Sequence, residues 1–148
     1  MNIEKIKNTQ GKILGVDFGD VRTGLAVSDP SRMLALCIET VTAEGIENIA
    51  DKVASVALAE RVGAIIVGLP VNMDGSEGHR AERARRFAAL LEEKTGIPTE
   101  TVDERMSTMQ AARYLNATDT RGKKRKNAID TLSAQIILQS ALDRLKNQ

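Results

Sequence analysis

Tryptophan is absent from this chain, and Phe18, Phe87 and Tyr114 are its only aromatic residues. A platform that stacks single-stranded bases needs several aromatic faces, so the composition argues against that mode of nucleic-acid binding. Cys37 is the single cysteine. This rules out an internal disulfide and a cysteine-built zinc cluster, and it fits a reducing compartment. Within the apolar stretch Leu34-Ala35-Leu36-Cys37-Ile38, that thiol is expected in the core. Neither sign of charge is in excess: 21 basic side chains face 20 acidic ones, for a net charge of +1. Any polyanion must therefore be held by local clustering. No apolar run approaches the roughly 20 residues that span a bilayer, and Met1 to Lys12 has no signal-peptide apolar region. The expectation is a cytosolic protein with no membrane contact. Repeats and linkers rich in Pro, Gly or Ser are also missing. A chain of 148 residues with 42% hydrophobic content then reads as one domain, residues 1–12 being a polar extension.

What is present is a carboxylate in an unexpected place. Asp17 lies in Gly15-Val16-Asp17-Phe18-Gly19, straight after Ile13-Leu14 and ahead of Arg22-Thr23-Gly24-Leu25-Ala26-Val27-Ser28. An unpaired buried carboxylate costs several kcal/mol and tends to take up a proton, so such a strand normally carries Val, Ile or Leu there. An acid retained at this point suits a site, and a metal ion is one way to keep it charged. The glycines remove bulk, so that a large ligand or another backbone can come close. The plainer alternative is that Asp17 ends a strand and caps the Gly19-Asp20 turn.

Patterning predicts strands over 13–19, 22–28 and 34–42, a helix over 46–61, and the fully apolar strand Ala64-Ile65-Ile66-Val67-Gly68. A loop from Leu69 to Gly78 precedes a helix over 79–95, which Gly96-Ile97-Pro98 stops. Thr99 to Asp103 is the fifth strand. A capping-box spacing at Ser107 starts a helix to about Leu115, and a last helix runs from Asn127 to Leu145. The expected fold is α/β: a mixed five-stranded sheet, antiparallel meander then parallel strands, with helices on both faces. Ligands of open sheets gather at the carboxyl ends of the strands.

Asp17, the Asp103-Glu104-Arg105 step and Asp130 can all reach that end. Acids at a helix start gain roughly 0.3–1 kcal/mol from the macrodipole, which alone could account for Asp103, Glu104 and Asp130. Yet Asp130 heads the row Ala134, Ile137, Ala141, which must pack inward. Carboxylates from a first strand, a fourth sheet position and a terminal helix suit Mg²⁺ or Mn²⁺. Two such ions about 3.5–4 Å apart would activate a water and stabilise the leaving oxygen in phosphodiester hydrolysis. Adjacent strand residues face opposite sides, so one of Asp103 and Glu104 points to the metals, and spacing does not say which.

The motifs GVDFGDVRTGLAVSD (15–29), VGLPVNMDGSEG (67–78), VDERMST (102–108) and KKRKNAIDTLSAQIILQ (123–139) together resemble the YqgF/RuvX family. The resemblance covers about Ile13 to Leu145 and departs only slightly, as at Met106, where leucine is common. It implies a ribonuclease H-like, RuvC-related nuclease domain, regarded as a Holliday-junction resolvase or a nuclease of the 5′ end of pre-16S ribosomal RNA. Carried over, it makes Asp17, Glu104 and Asp130 the catalytic, metal-binding acids. It favours Glu104 over Asp103, which could pair with Arg105 or Arg22. The partner would be a structured rRNA precursor or branched DNA, bound by a monomer or homodimer.

Arg121-Gly122-Lys123-Lys124-Arg125-Lys126 places five basic residues in six positions just before Asp130. It reads as a flexible loop, either simply solvated or ordering on phosphates beside the acids. Arg80, Arg83 and Arg86 recur at helical spacing and would extend that footprint, unless Glu82, Glu92 and Glu93 pair with them. Arg22 and the loop carrying Asn72, Asp74, Gly75 and Ser76 are further candidates for strand contact; a tight turn explains the loop nearly as well. His79 reads as an exposed helix-start residue.

Two other functions remain in view. Asp17-Phe18-Gly19 with Thr23-Gly24 also resembles the phosphate loop of actin-like ATPases, which enclose a nucleotide between two such domains. A non-catalytic module binding RNA, ribosomal or transcription partners would leave the acids vestigial. Intact acids at all three positions argue against it.

Overall fold

The computed structural model describes residues 1–104 and 122–147, with the backbone alone over 122–130. The predicted helix from Ser107, with Arg105 and Arg121, lies outside the described residues. A short helix, α1 (Ile3–Lys7), precedes the strands β1 (Ile13–Asp17), β2 (Arg22–Ser28) and β3 (Ala35–Thr42). Then come α2 (Ile46–Glu60), β4 (Ala64–Leu69), α3 (His79–Thr95), β5 (Thr99–Asp103) and the long helix α4 (Gly122–Lys146). The first twelve residues are thus more than a polar extension, because α1 buries Ile6 completely.

The five strands lie in the order β3-β2-β1-β4-β5. β1, β2 and β3 pair antiparallel, while β4 and β5 join parallel to β1 through helical crossovers. Alternation sorts the side chains between two cores. Leu14, Val16, Leu25, Val27, Ile65 and Val67 face α2 and α3, packing on Ile49, Val53, Phe87 and Leu91. Ile13, Ala26, Ala64, Ile66 and Val102 face α4, against Ala134, Ile137, Leu138, Ala141 and Leu142. β4, central and covered on both sides, is buried along its whole length, as its unbroken apolar run predicts.

α4 runs antiparallel to β1. Gln139 Nε2 donates to the Met33 carbonyl (3.1 Å), Gln135 Nε2 donates to the Ala35 carbonyl (2.9 Å), and the Cys37 thiol reaches Gln135 Oε1 (3.0 Å). Partner numbers fall as β3 advances, and β3 points the same way as β1. Ala35 N–H also donates to Gln139 Oε1 (2.9 Å), so two glutamines fasten the helix to the outer edge of the sheet. Gly15 makes the close approach possible. A Cβ there would sit 2.6 Å from Leu138 Cβ and 3.2 Å from the Ala134 carbonyl oxygen.

Three sequence expectations are corrected. Cys37 is exposed, because β3 is an edge strand on which α4 fully covers only Ala35; partial burial still raises its thiol pKa. The last helix starts at Gly122 and not at Asn127, so Asp130 is not in its first turn. Lys123, Lys124, Arg125 and Lys126 accordingly lie in helix, not in a loop, since lysine and arginine are good helix formers. β1 ends at Asp17, where the turn to β2 begins.

Candidate active site

Strand parity decides what gathers at the carboxyl end of the sheet. Asp17 follows Ile13 and Gly15 on the face covered by α4, and its register partner on β2 is Gly24, which adds no side chain. Glu104 extends the β5 ladder by one step, its N–H donating to the Leu69 carbonyl (3.1 Å). It shares the parity of Val102 and so also turns towards α4, whereas Asp103 turns away and is exposed. The Asp17 and Glu104 carboxyls meet in a side-chain hydrogen bond.

Gly68 leaves the room. A Cβ on it would collide with Glu104 Oε2 and stand 2.7 Å from Ile137 Cδ1. Sequence reading passed over this glycine, although one in an apolar strand marks a close approach. Gly68→Ala should therefore displace the Glu104 carboxyl, lower stability by about 1–3 kcal/mol through overpacking, and reduce activity more than that. Denaturant midpoints and cleavage rates measured together would check it.

Helix α4 brings the third acid's backbone to the same end. Asp17 lies two residues beyond Gly15, about 6.6 Å along the strand. Asp130 lies four residues before Ala134, about 6 Å along the antiparallel helix. Its backbone is thus carried alongside the end of β1; its side chain, like those of Lys123 to Lys126, lies outside the described residues.

Burial, the largest influence, raises the Glu104 pKa. The hydrogen bond with Asp17 and the nearby charge of Arg80 oppose it, and the Asp103 charge adds to it. The two carboxyls are close enough that protonation of one bears on the other. The consequence for stability has a definite sign. A carboxyl with a raised folded-state pKa contributes stability below its ordinary value of 4.5, and that contribution disappears as pH climbs through the raised value. Without metal, the stability difference between Glu104→Gln and wild type should grow in favour of the variant as pH rises above 4.5. Urea melts across that window would show it.

The surroundings are rigid. Phe18, next to Asp17, stacks on Phe87 with ring centroids 4.3 Å apart at 20°. The fully buried Thr23 donates its hydroxyl to the Gly19 carbonyl and accepts from the Gly19 N–H, both at 3.3 Å. That closes the turn after Asp17 and occupies the hydroxyl that an ATPase phosphate loop would offer. Arg22 opens β2 on the α4 face, beside Asp17.

Arg80 and Arg83 line a small cleft with Phe18, Gly19, Asp20 and Pro70. Arg83 is held by Asp20 (2.8 Å), not by Glu82. Glu92 pairs with Lys5 (2.8 Å). Arg86 and His79 are exposed. In the 72–76 loop, Asn72 Nδ2 donates to Ser76 Oγ (3.0 Å) and the Ser76 N–H donates to Asp74 Oδ1 (2.9 Å). The Gly75 N–H donates to the Asn72 carbonyl (2.8 Å), with Gly75 at φ +89°. These groups satisfy one another as a tight turn, which removes three donors from any phosphate cradle.

Hard divalent cations take oxygen ligands and accept buried, hydrogen-bonded carboxyls once they ionise. The Asp17–Glu104 pair, with the space Gly68 provides, fits that requirement. Among the described residues no third His, Cys, Asp or Glu joins the pair; α4 offers Asp130.

A mixed sheet in this order, with a carboxylate pair at the end of its central strands and a C-terminal helix across one face, defines a ribonuclease H-like domain. The chain belongs to the RuvX family, described as Holliday junction resolvase, which matches residues 11–144. A relative from Rhodopseudomonas palustris (strain BisB5) is 44% identical over 92% of this chain and 85% of its own length. One from Rhodopirellula baltica is 38% identical over 90% and 77%. Both carry the description "Putative pre-16S rRNA nuclease". RuvC of Thermus thermophilus, solved with a Holliday junction substrate, shares the fold with a TM-score of 0.56 at 16% identity, over 91% of this chain and 96% of that one.

Proposed function

We propose that this chain is a metal-dependent nuclease that hydrolyses phosphodiester bonds of structured nucleic acid, acting in the cytosol on the 5′ end of precursor 16S rRNA. The observation that carries the reading is the hydrogen-bonded Asp17–Glu104 pair at the carboxyl end of β1 and β5, beneath α4. Family membership and relatives 38–44% identical support the substrate class. Mg²⁺ or Mn²⁺, two ions in this reading, would supply an activated water and stabilise the leaving oxygen. Asp17, Glu104 and Asp130 are the ligands. Burial disfavours the ionised form of Glu104, and a cation bound by the pair would supply the charge that its carboxylate lacks. Arg80, already close enough to act electrostatically on Glu104, would neutralise a substrate phosphate, as would Arg22 and the basic start of α4. Arg83 contributes less, being tied to Asp20.

Resolution of branched DNA is the second reading, favoured by the family description. Cleavage assays with Mg²⁺ or Mn²⁺ on a precursor-rRNA fragment and on a four-way DNA junction separate the two. Cutting of the RNA near its 5′ end, at rates well above those on the junction, is expected. Preference for the junction would reverse the order, and inertness on both would leave a binding module.

A further inference from the structure

Ser133 is fully buried on α4, and its hydroxyl has no hydrogen-bond partner among the described residues. A helical serine ordinarily satisfies itself on the carbonyl one turn back. A buried hydroxyl left unsatisfied is destabilising, so its presence calls for a partner that another state of the protein supplies.

Position indicates which partner. Ile137 Cδ1 and Glu104 Oε2 crowd the same point above Gly68. Ser133 sits one turn before Ile137, about 6 Å nearer the carboxyl ends of the strands because α4 runs antiparallel to β1 and β4. Its neighbour Ala134 lies over Gly15, two residues short of Asp17. Ser133 also follows Asp130 by three residues, which puts the two on one helix face. Ser133 therefore lies on the stretch of α4 that covers the carboxyl end of β1 and β4, where the two acids stand.

We propose that Ser133 is a positioning residue for the acid pair. When a divalent cation sits on Asp17 and Glu104, the Ser133 O–H donates to the Glu104 carboxylate and holds it towards the cation. Without the cation the donor stays unsatisfied. This rests on the metal-dependent reading above, and it assigns Ser133 no contact with substrate.

The test uses the full chain and Mn²⁺ alone, without nucleic acid. Ser133→Ala should raise the metal-free melting temperature by about 2–4 °C, since removing an unsatisfied buried hydroxyl relieves its burden. The same variant should bind Mn²⁺ roughly tenfold more weakly, as expected for loss of a supporting hydrogen bond to a ligand. Ser133→Cys keeps the shape but offers only a weak donor, and should weaken Mn²⁺ binding nearly as much. A lower metal-free melting temperature for Ser133→Ala would reveal a structural partner and overturn the proposal. Wild-type Mn²⁺ affinity in either variant, while Asp17→Asn loses binding, would overturn it and leave the metal site standing. If Asp17→Asn also bound normally, the metal site itself would fall.

Discussion

Asp17→Asn should lower single-turnover cleavage at least about 10³-fold while the protein stays folded, because the proposed site would lose one ligand of a unit that acts together. Metal-free stability should hold or rise. Asp17 and Glu104 stand in hydrogen-bond contact, both half-buried, and an amide in place of one carboxyl removes the repulsion that appears when both ionise. Glu104→Gln should match it, and the double variant should lose little more than either single one. If the double loss equalled the product of the two single losses, the acids would not share a site. Asp103→Asn, on the exposed side of β5, should be far milder.

Replacing Lys123, Lys124, Arg125 and Lys126 together with alanine should give the second largest effect, on binding instead of chemistry. All four lie in the opening turns of α4, where cations oppose the helix macrodipole and no acid occupies the first turn to offset them. Alanine is also the better helix former. Thermal stability should therefore stay level or increase. Affinity for duplex DNA should fall, and the slope of log K against log salt should flatten by roughly 3–4, at about 0.9 per lost phosphate contact. Cleavage of already bound substrate should survive, because in the proposed reading these residues position the strand and the acids do the chemistry. An unchanged slope in a salt titration would mean that the basic run meets no phosphate.

Local pattern made much of this legible. Alternation and apolar runs located the five strands, and Asp17 stood out because an acid interrupts one of those runs. Parity restricted Asp103 and Glu104 to opposite faces, but which face α4 covers depends on Val102 joining the cluster beneath that helix, which no local signal encodes. Cys37 was misplaced for a related reason: a strand's own residues do not say that it lies at the edge of a sheet. The start of α4 was missed because Asn127 looks like a cap, while the preceding lysines are equally at home in helix or loop. Arg83 found Asp20, 63 residues away, in preference to its neighbour Glu82. Ser133 gave no signal in sequence, since its interest lies in a hydrogen bond it does not make.

Calorimetric titration of Mn²⁺ into the metal-free protein, repeated in buffers of different ionisation enthalpy, tests the acid pair most directly. Metal ligands must be deprotonated to bind, and the Glu104 pKa is raised. The wild type should therefore take up Mn²⁺ with a release of protons that grows as pH falls towards the carboxyl range, seen as an enthalpy that changes with the buffer. Asp17→Asn and Glu104→Gln should each lose most of the affinity and the proton release with it. Binding of wild-type strength in both variants would contradict the assignment of these two carboxyls as the metal-holding centre.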